Sequence, residues 1–164
     1  VQALKTNQVA ALTTSQVNAG LTTSQVVALT TAQVSGLTTA QVQALATSQV
    51  AALETSDLKA LGTNQIAALT TAQVQKGLNL DQVVALTSDQ VAALRTDQVA
   101  ALTTTQVSVV DAADVAAMRT EQIAALSTAQ IQKGLTAADL SEVIHPHPTF
   151  SEMLFGAAES LRPE

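Results

Sequence analysis

Two histidines, His145 and His147, stand one residue apart in a segment bounded by Pro146 and Pro148, and Glu152 follows. Imidazoles with a carboxylate nearby are the side chains that bind a metal ion or move a proton near neutral pH. Two His in a Pro-bound turn are too few for a defined metal site, so no metal or cofactor is expected. A second kind of chemistry is spread along the chain. Thr30, Thr38 and Thr87, with Gln33, Gln41 and Gln90, recur at regular intervals. A flat array of hydroxyls and amides could meet a regular surface such as ice, a glycan or a protein. Cysteine is absent, which rules out disulfides, thiolate catalysis and Cys-based zinc sites.

Those polar residues belong to an octad, L-T-T-x-Q-V-x-A, that runs from Leu4 to about Val143. Its leading positions are aliphatic or Met throughout, from Leu4, Leu12 and Leu21 to Val110, Met118 and Leu135. Position 6 is also aliphatic, and position 5 is Gln except at Asp57, Asp114 and Asp139. Repetition at a fixed period usually builds a stacked surface rather than one active site.

The anchors alternate at spacings of five and three. In one continuous helix, eight residues advance about 800°, so the anchors would drift by roughly 80° per octad and form no stripe. The polar positions point instead to a helix start in every octad. Leu sits at N′, Thr at the N-cap, Gln at N3 as the second half of a capping box, and Val at N4 closing a hydrophobic staple. Where position 2 caps poorly (Lys5, Ala46, Glu54, Arg95, Arg119), position 3 is Thr (Thr6, Thr47, Thr55, Thr96, Thr120). Where position 3 cannot cap (Leu80, Ala112, Ala137), position 2 is Asn79, Asp111 or Thr136. Each octad therefore carries a residue able to cap. The expected fold is all-α: a superhelical solenoid of short capped helices over residues 1–143, closed by a C-terminal capping helix within 144–164. A β-solenoid is the structural rival, because Thr and Val favour strands. The Ala and Gln content, the caps and a total of only six Gly favour helix.

A longer period lies above the octad. It stretches to nine residues at Leu12–Leu21, Leu69–Leu78 and Leu126–Leu135, which are 57 residues apart. Either a 57-residue unit has been duplicated, or seven octads close one superhelical turn and the extra residue corrects the phase.

The formal charge of −6 and the scarcity of Lys and Arg argue against nucleic acid as a partner. No apolar run is long enough for a membrane-spanning helix, so no membrane insertion is expected. Val1 suggests a fragment of something longer. The N-terminal end shows no obvious polar cap, which makes protein binding or end-to-end self-association the expected partnership.

Three resemblances attach to particular stretches. Leu21-Thr22-Thr23-Ser24-Gln25-Val26-Val27-Ala28 resembles the opening helix of transcription-activator-like effector repeats, which implies a shared helix start. The Thr/Ala/Val/Gln-rich array resembles the repeat regions of large bacterial surface adhesins. That implies a secreted or cell-surface spacer or display module, without catalysis. The tail from Thr136 to Arg162, with His145-Pro146-His147-Pro148-Thr149-Phe150-Ser151-Glu152, resembles the C-terminal segment of dihydrolipoamide dehydrogenases in its H-x-H-P-T-x-S-E pattern. In that family His147 would be a general base and Glu152 would orient it. The chain has neither the glycine motif for a dinucleotide nor a redox cysteine pair, so the resemblance implies a remnant without activity.

Overall fold

The computed structural model describes residues 3–134. Among them the chain forms sixteen helical segments of four to seven residues, joined by short extended links and with no strand. The all-α solenoid is thus the observed architecture, and the β-solenoid is not. The expected boundary at 143/144, the C-terminal capping helix, His145, His147 and Glu152 lie outside the described residues.

Each octad contributes one helix. The N-cap residue at position 2 is extended, as at Thr30 (φ −85°, ψ 157°) and Asn79 (φ −80°, ψ 172°), and this breaks the chain from the preceding helix. Position 6 side chains such as Val34, Val42, Leu58, Ile66 and Val99 are fully buried. Leading residues such as Leu45, Leu53 and Leu69 lie beside them, also buried. The two anchors flank every helix start, so they form one continuous core along the stack. Helices this short are unstable alone, and this shared core is what sustains them.

The superhelical register is set by which octads touch. Thr31–Ser35 packs on Thr55–Ala60, Thr39–Ala44 on Thr63–Ala68, and Thr63–Ala68 on Ser88–Ala93, each pair three helices apart. Side-chain hydrogen bonds reach the same way and also to the end of the fourth helix back, as when Gln98 reaches Leu69 and Ile66. A turn therefore takes between three and four octads. Seven octads make about two turns, so the reading of the 57-residue period as one superhelical turn does not hold, and duplication of a 57-residue unit is untouched by this register.

Two of the three nine-residue stretches share a local structural cause, whereas the third holds the α-helix Thr128–Gly134. Gln16–Gly20 and Gln73–Gly77 are π-helical rather than α-helical. Leu78 N–H donates to Gln73 O at 2.9 Å, five residues back, so the additional residue widens the helix instead of lengthening the link. The register consequently counts octads and not residues. Gln73 reaches Leu45 across 28 residues, whereas Gln82 reaches Leu53 across 29 because the stretch lies between them.

Each of these π turns ends on glycine, and the two glycines sit in different surroundings. A Cβ on Gly77 would meet Val50 Cβ at 3.1 Å and Thr47 O at 3.3 Å, so here the π turn presses on the helix Thr47–Ala52. A Cβ on Gly20 would meet nothing nearer than Gln16 Cβ at 3.8 Å. Neither glycine has a positive φ. Gly77→Ala should cost about 1–3 kcal/mol by overpacking. Gly20→Ala should be neutral or slightly stabilising through the lower entropy of its unfolded chain. Urea denaturation of the two variants checks this, and equal effects would contradict the close packing assigned to Gly77.

Candidate functional site

The repeated polar residues do two different jobs. Thr30, Thr38 and Thr87 are exposed, but each hydroxyl is occupied as an N-cap. It accepts the backbone N–H of Gln33, Gln41 or Gln90 at 3.2–3.3 Å. Gln33, Gln41 and Gln90 are themselves buried, with relative exposures of 3%, 2% and 3%. The structure therefore separates the two halves of the expected Thr/Gln array, with Thr on the outside and Gln inside the stack.

The buried Gln joins neighbouring turns. Its Oε1 accepts the N–H of the N-cap residue three positions earlier: 2.8 Å from Thr38 to Gln41 and 3.1 Å from Thr87 to Gln90. Its Nε2 donates to carbonyls of the turn below. Gln41 reaches Val9 O at 2.9 Å and Leu12 O at 2.7 Å, and Gln90 reaches Leu58 O at 2.9 Å and Leu61 O at 2.7 Å. One amide thus closes the start of its own helix and the end of another: Val9 O and Leu58 O also accept a backbone N–H, whereas Leu12 O and Leu61 O take the Gln amide at the link that follows the helix. Because both its ends are used, its burial carries no unsatisfied polar group, and none is found among the buried side chains described. In the first described turn, Gln8, Gln16 and Gln25 are exposed and, among the described residues, bond through Oε1 alone.

This arrangement corrects the expected capping at position 3. In the octads with Lys5, Ala46, Glu54, Arg95 and Arg119 at position 2, the N-cap stays at position 2 and makes no side-chain cap. Thr6, Thr47, Thr55, Thr96 and Thr120 become the first residue of the helix. In the four of these octads that carry Gln, the Gln holds this start, because its Oε1 accepts from the position 2 N–H whatever side chain stands there, as at Ala46 (2.7 Å) and Arg119 (2.7 Å); the Glu54 octad, with Asp57 at position 5, starts at the same place without that bond. Moving the start by one residue would break both the amide bridge and the Leu–Val staple.

Arginine at position 2 does something that composition did not signal. Arg95 donates to Ala67 O and Leu69 O, and Arg119 Nη2 donates to Leu94 O at 3.1 Å. Each guanidinium thus lies at the carbonyl end of a helix in the turn below, where a cation is favoured. The Arg95 hydrogen bond also holds the Asp97 carboxyl below the usual range.

Asp57 and Asp114 stand where the other octads have the bridging Gln, and both are buried, at 3% and 6%. Burial, with Glu54 nearby, pushes the Asp57 carboxyl up. Burial also raises Asp114, against the Ser88 hydroxyl that donates to it at 2.7 Å, and Asp111 adds to the rise. Among the described residues no three His, Cys, Asp or Glu come together to hold a metal ion. A shallow cleft beside Gln16–Gly20 is lined by Thr14, Ser15, Asn18 and Gln43 with small apolar neighbours, and offers no titratable group.

The bridge yields a comparison within one chain. Gln82→Ala removes the partner of Asn79 N–H and of Leu53 O, together with the second bond to Val50 O, and should cost on the order of 2–4 kcal/mol. Gln25→Ala loses only exposed bonds, both to Thr22, and should cost below about 1 kcal/mol. Gln82→Glu keeps the acceptor but turns the donor into a carboxylate facing two carbonyls. It should be destabilised at pH 7 and recover as pH falls. Chemical denaturation of the three variants at two pH values checks the set.

A family model, described as the ALTTAQ repeat, matches the chain over residues 1–31, 19–47, 27–55, 50–88 and 81–110. These matches lie within the octad array and bear on the repeats alone, not on the adhesin likeness or the dehydrogenase-like tail. No curated protein and no solved structure matches the chain. No described helix is long and apolar enough to cross a membrane. Matched over more than half its length, and built on variations of the Leu-Thr-x-x-Gln-Val start that the geometry explains, the chain belongs to the ALTTAQ repeat family.

Proposed function

We propose that the chain is a non-catalytic structural module, a spacer or display rod within a larger bacterial protein, working at the cell surface or after secretion. The observation that carries this reading is where the repeat spends its polar side chains. Thr hydroxyls cap helices and Gln amides join turns, so the repeated polar positions of the octad are used to hold a shape. The adhesive part of the reading rests on the resemblance to surface-adhesin arrays, with protein surfaces or further copies of the chain as partners and without nucleic acid.

A spacer must hold its ends at a fixed separation. The chain has no cysteine, so Ser24→Cys/Glu121→Cys can be labelled with a dye pair without background. Single-molecule energy transfer should give one narrow distance distribution, unchanged between low and physiological salt. A broad or multiple distribution would contradict a rod.

A binding module that used the exposed Thr residues is distinguished by Thr30→Ala/Thr38→Ala/Thr87→Ala. Loss of about 0.5–2 kcal/mol per cap in denaturant supports the structural reading. Unchanged stability with lost retention on ice or a glycan array would support the binding module instead.

A further inference from the structure

We infer that Asp57 and Asp114 are acid-tightened joints in the stack: each weakens the contact between two turns when ionised and bridges them when protonated. The inference rests on position. In the octads around them, the side chain at position 5 is a donor aimed at two carbonyls of the turn below. The same register sets Asp57 over Val26 O and Leu29 O, and Asp114 over Val83 O and Leu86 O. No side-chain donor reaches either pair among the described residues. An ionised carboxylate has only acceptor oxygens to offer there, whereas the neutral acid has an O–H to give.

The surroundings act in the same direction. The helix Thr55–Ala60 packs on Thr31–Ser35, which has no titratable residue, and on Leu80–Ala85, which has Asp81. Its own octad adds Glu54 and the exposed Lys59. The helix Ala112–Ala117 packs on Ser88–Ala93, whose charged residue is Asp89, and Asp111 caps it. Acidic groups outnumber cations at both joints. Ser88, in the turn below, acts the other way by donating its hydroxyl to the ionised Asp114, though burial outweighs it, whereas Asp57 has no side-chain hydrogen bond among the described residues.

The sign follows from linkage. Both carboxyls are shifted upward in the folded chain, so their contribution to stability is complete below the ordinary carboxylate range and is lost as pH rises through the raised values. Asp97 runs the other way, and being lowered it begins to lose its contribution only below that ordinary range.

The test is thermal melting of the 164-residue chain and of Asp57→Gln/Asp114→Gln between pH 7 and pH 4.5. The variant restores the bridge that other octads make. Its Tm should exceed that of the parent at pH 7 by about 3 °C or more, and the gap should narrow as pH falls. A gap that stays constant with pH, or no gap at all, overturns the inference. Addition of calcium alone at pH 7 separates a proton from a cation: a rise in parent Tm that the variant lacks would assign the joints to metal binding and also overturn it. Should the variant fold poorly, carboxyl carbon NMR titration of the parent decides the matter. Both Asp must titrate above the ordinary range, and values at or below it refute the joint.

Discussion

The structure depends on one side chain making two kinds of contact at once. A helix of five or six residues has almost as many unpaired terminal groups as paired ones, and it is stable only if something outside it supplies partners. The position 5 Gln supplies them in both directions. Its oxygen takes the N–H that opens its own helix, and its nitrogen gives to the carbonyls that end a helix one turn below. A side chain of this length, with a donor and an acceptor on one carbon, is what the geometry calls for. An ionised Asp has no donor, so at Asp57 and Asp114 the amide bridge is missing, and at Asp114 the Ser88 hydroxyl joins the turns instead.

The apolar core follows from the same arrangement. With the helix start fixed by Gln, the preceding Leu and the following Val are always brought to one side, and their burial down the stack is the main favourable term. Large aromatic residues would not fit between layers set by an amide bridge, and the described core is built of Val, Leu, Ile, Met and Ala alone. The hydrogen bonds then act chiefly as specification. A bridged Gln gains modestly, but a misplaced one would bury unpaired polar groups, so the register tolerates little slippage.

Much of this was legible in the sequence, and the parts that were not have a common reason. The helix starts, the staple pair and the solenoid follow from local spacing, because they involve residues within five positions of one another. The inner role of Gln41 or Gln90 does not, since its carbonyl partners lie 29 to 32 residues away and are backbone groups with no side-chain signature. The same limit explains the position 3 threonines. Thr47 reads as a capping residue locally, but the start of its helix is held at Ala46 by Gln49, which is tied in turn to Val17 and Leu21. The 57-residue period was visible, but its meaning as about two turns needed the three-to-four octad register.

Because the register counts octads, the stack is indifferent to what stands at positions without a partner in it. Positions 4 and 7 are exposed through most of the array, and there the residues differ most in kind: Ser24, Ala40 and Asp97 at position 4, and Asn18, Gln43, Lys59 and Val84 at position 7. Val27 and Val84 are exposed by 44% and 60% and occupy equivalent octads 57 residues apart. Val27 and Val84 contribute little to the core, and replacing them leaves every bridge in place; Asn18 is the exception at position 7, since its amide donates to Ala44 O. Any chemical character the rod shows to its surroundings is therefore written at these positions, on a frame whose own polar groups are already committed.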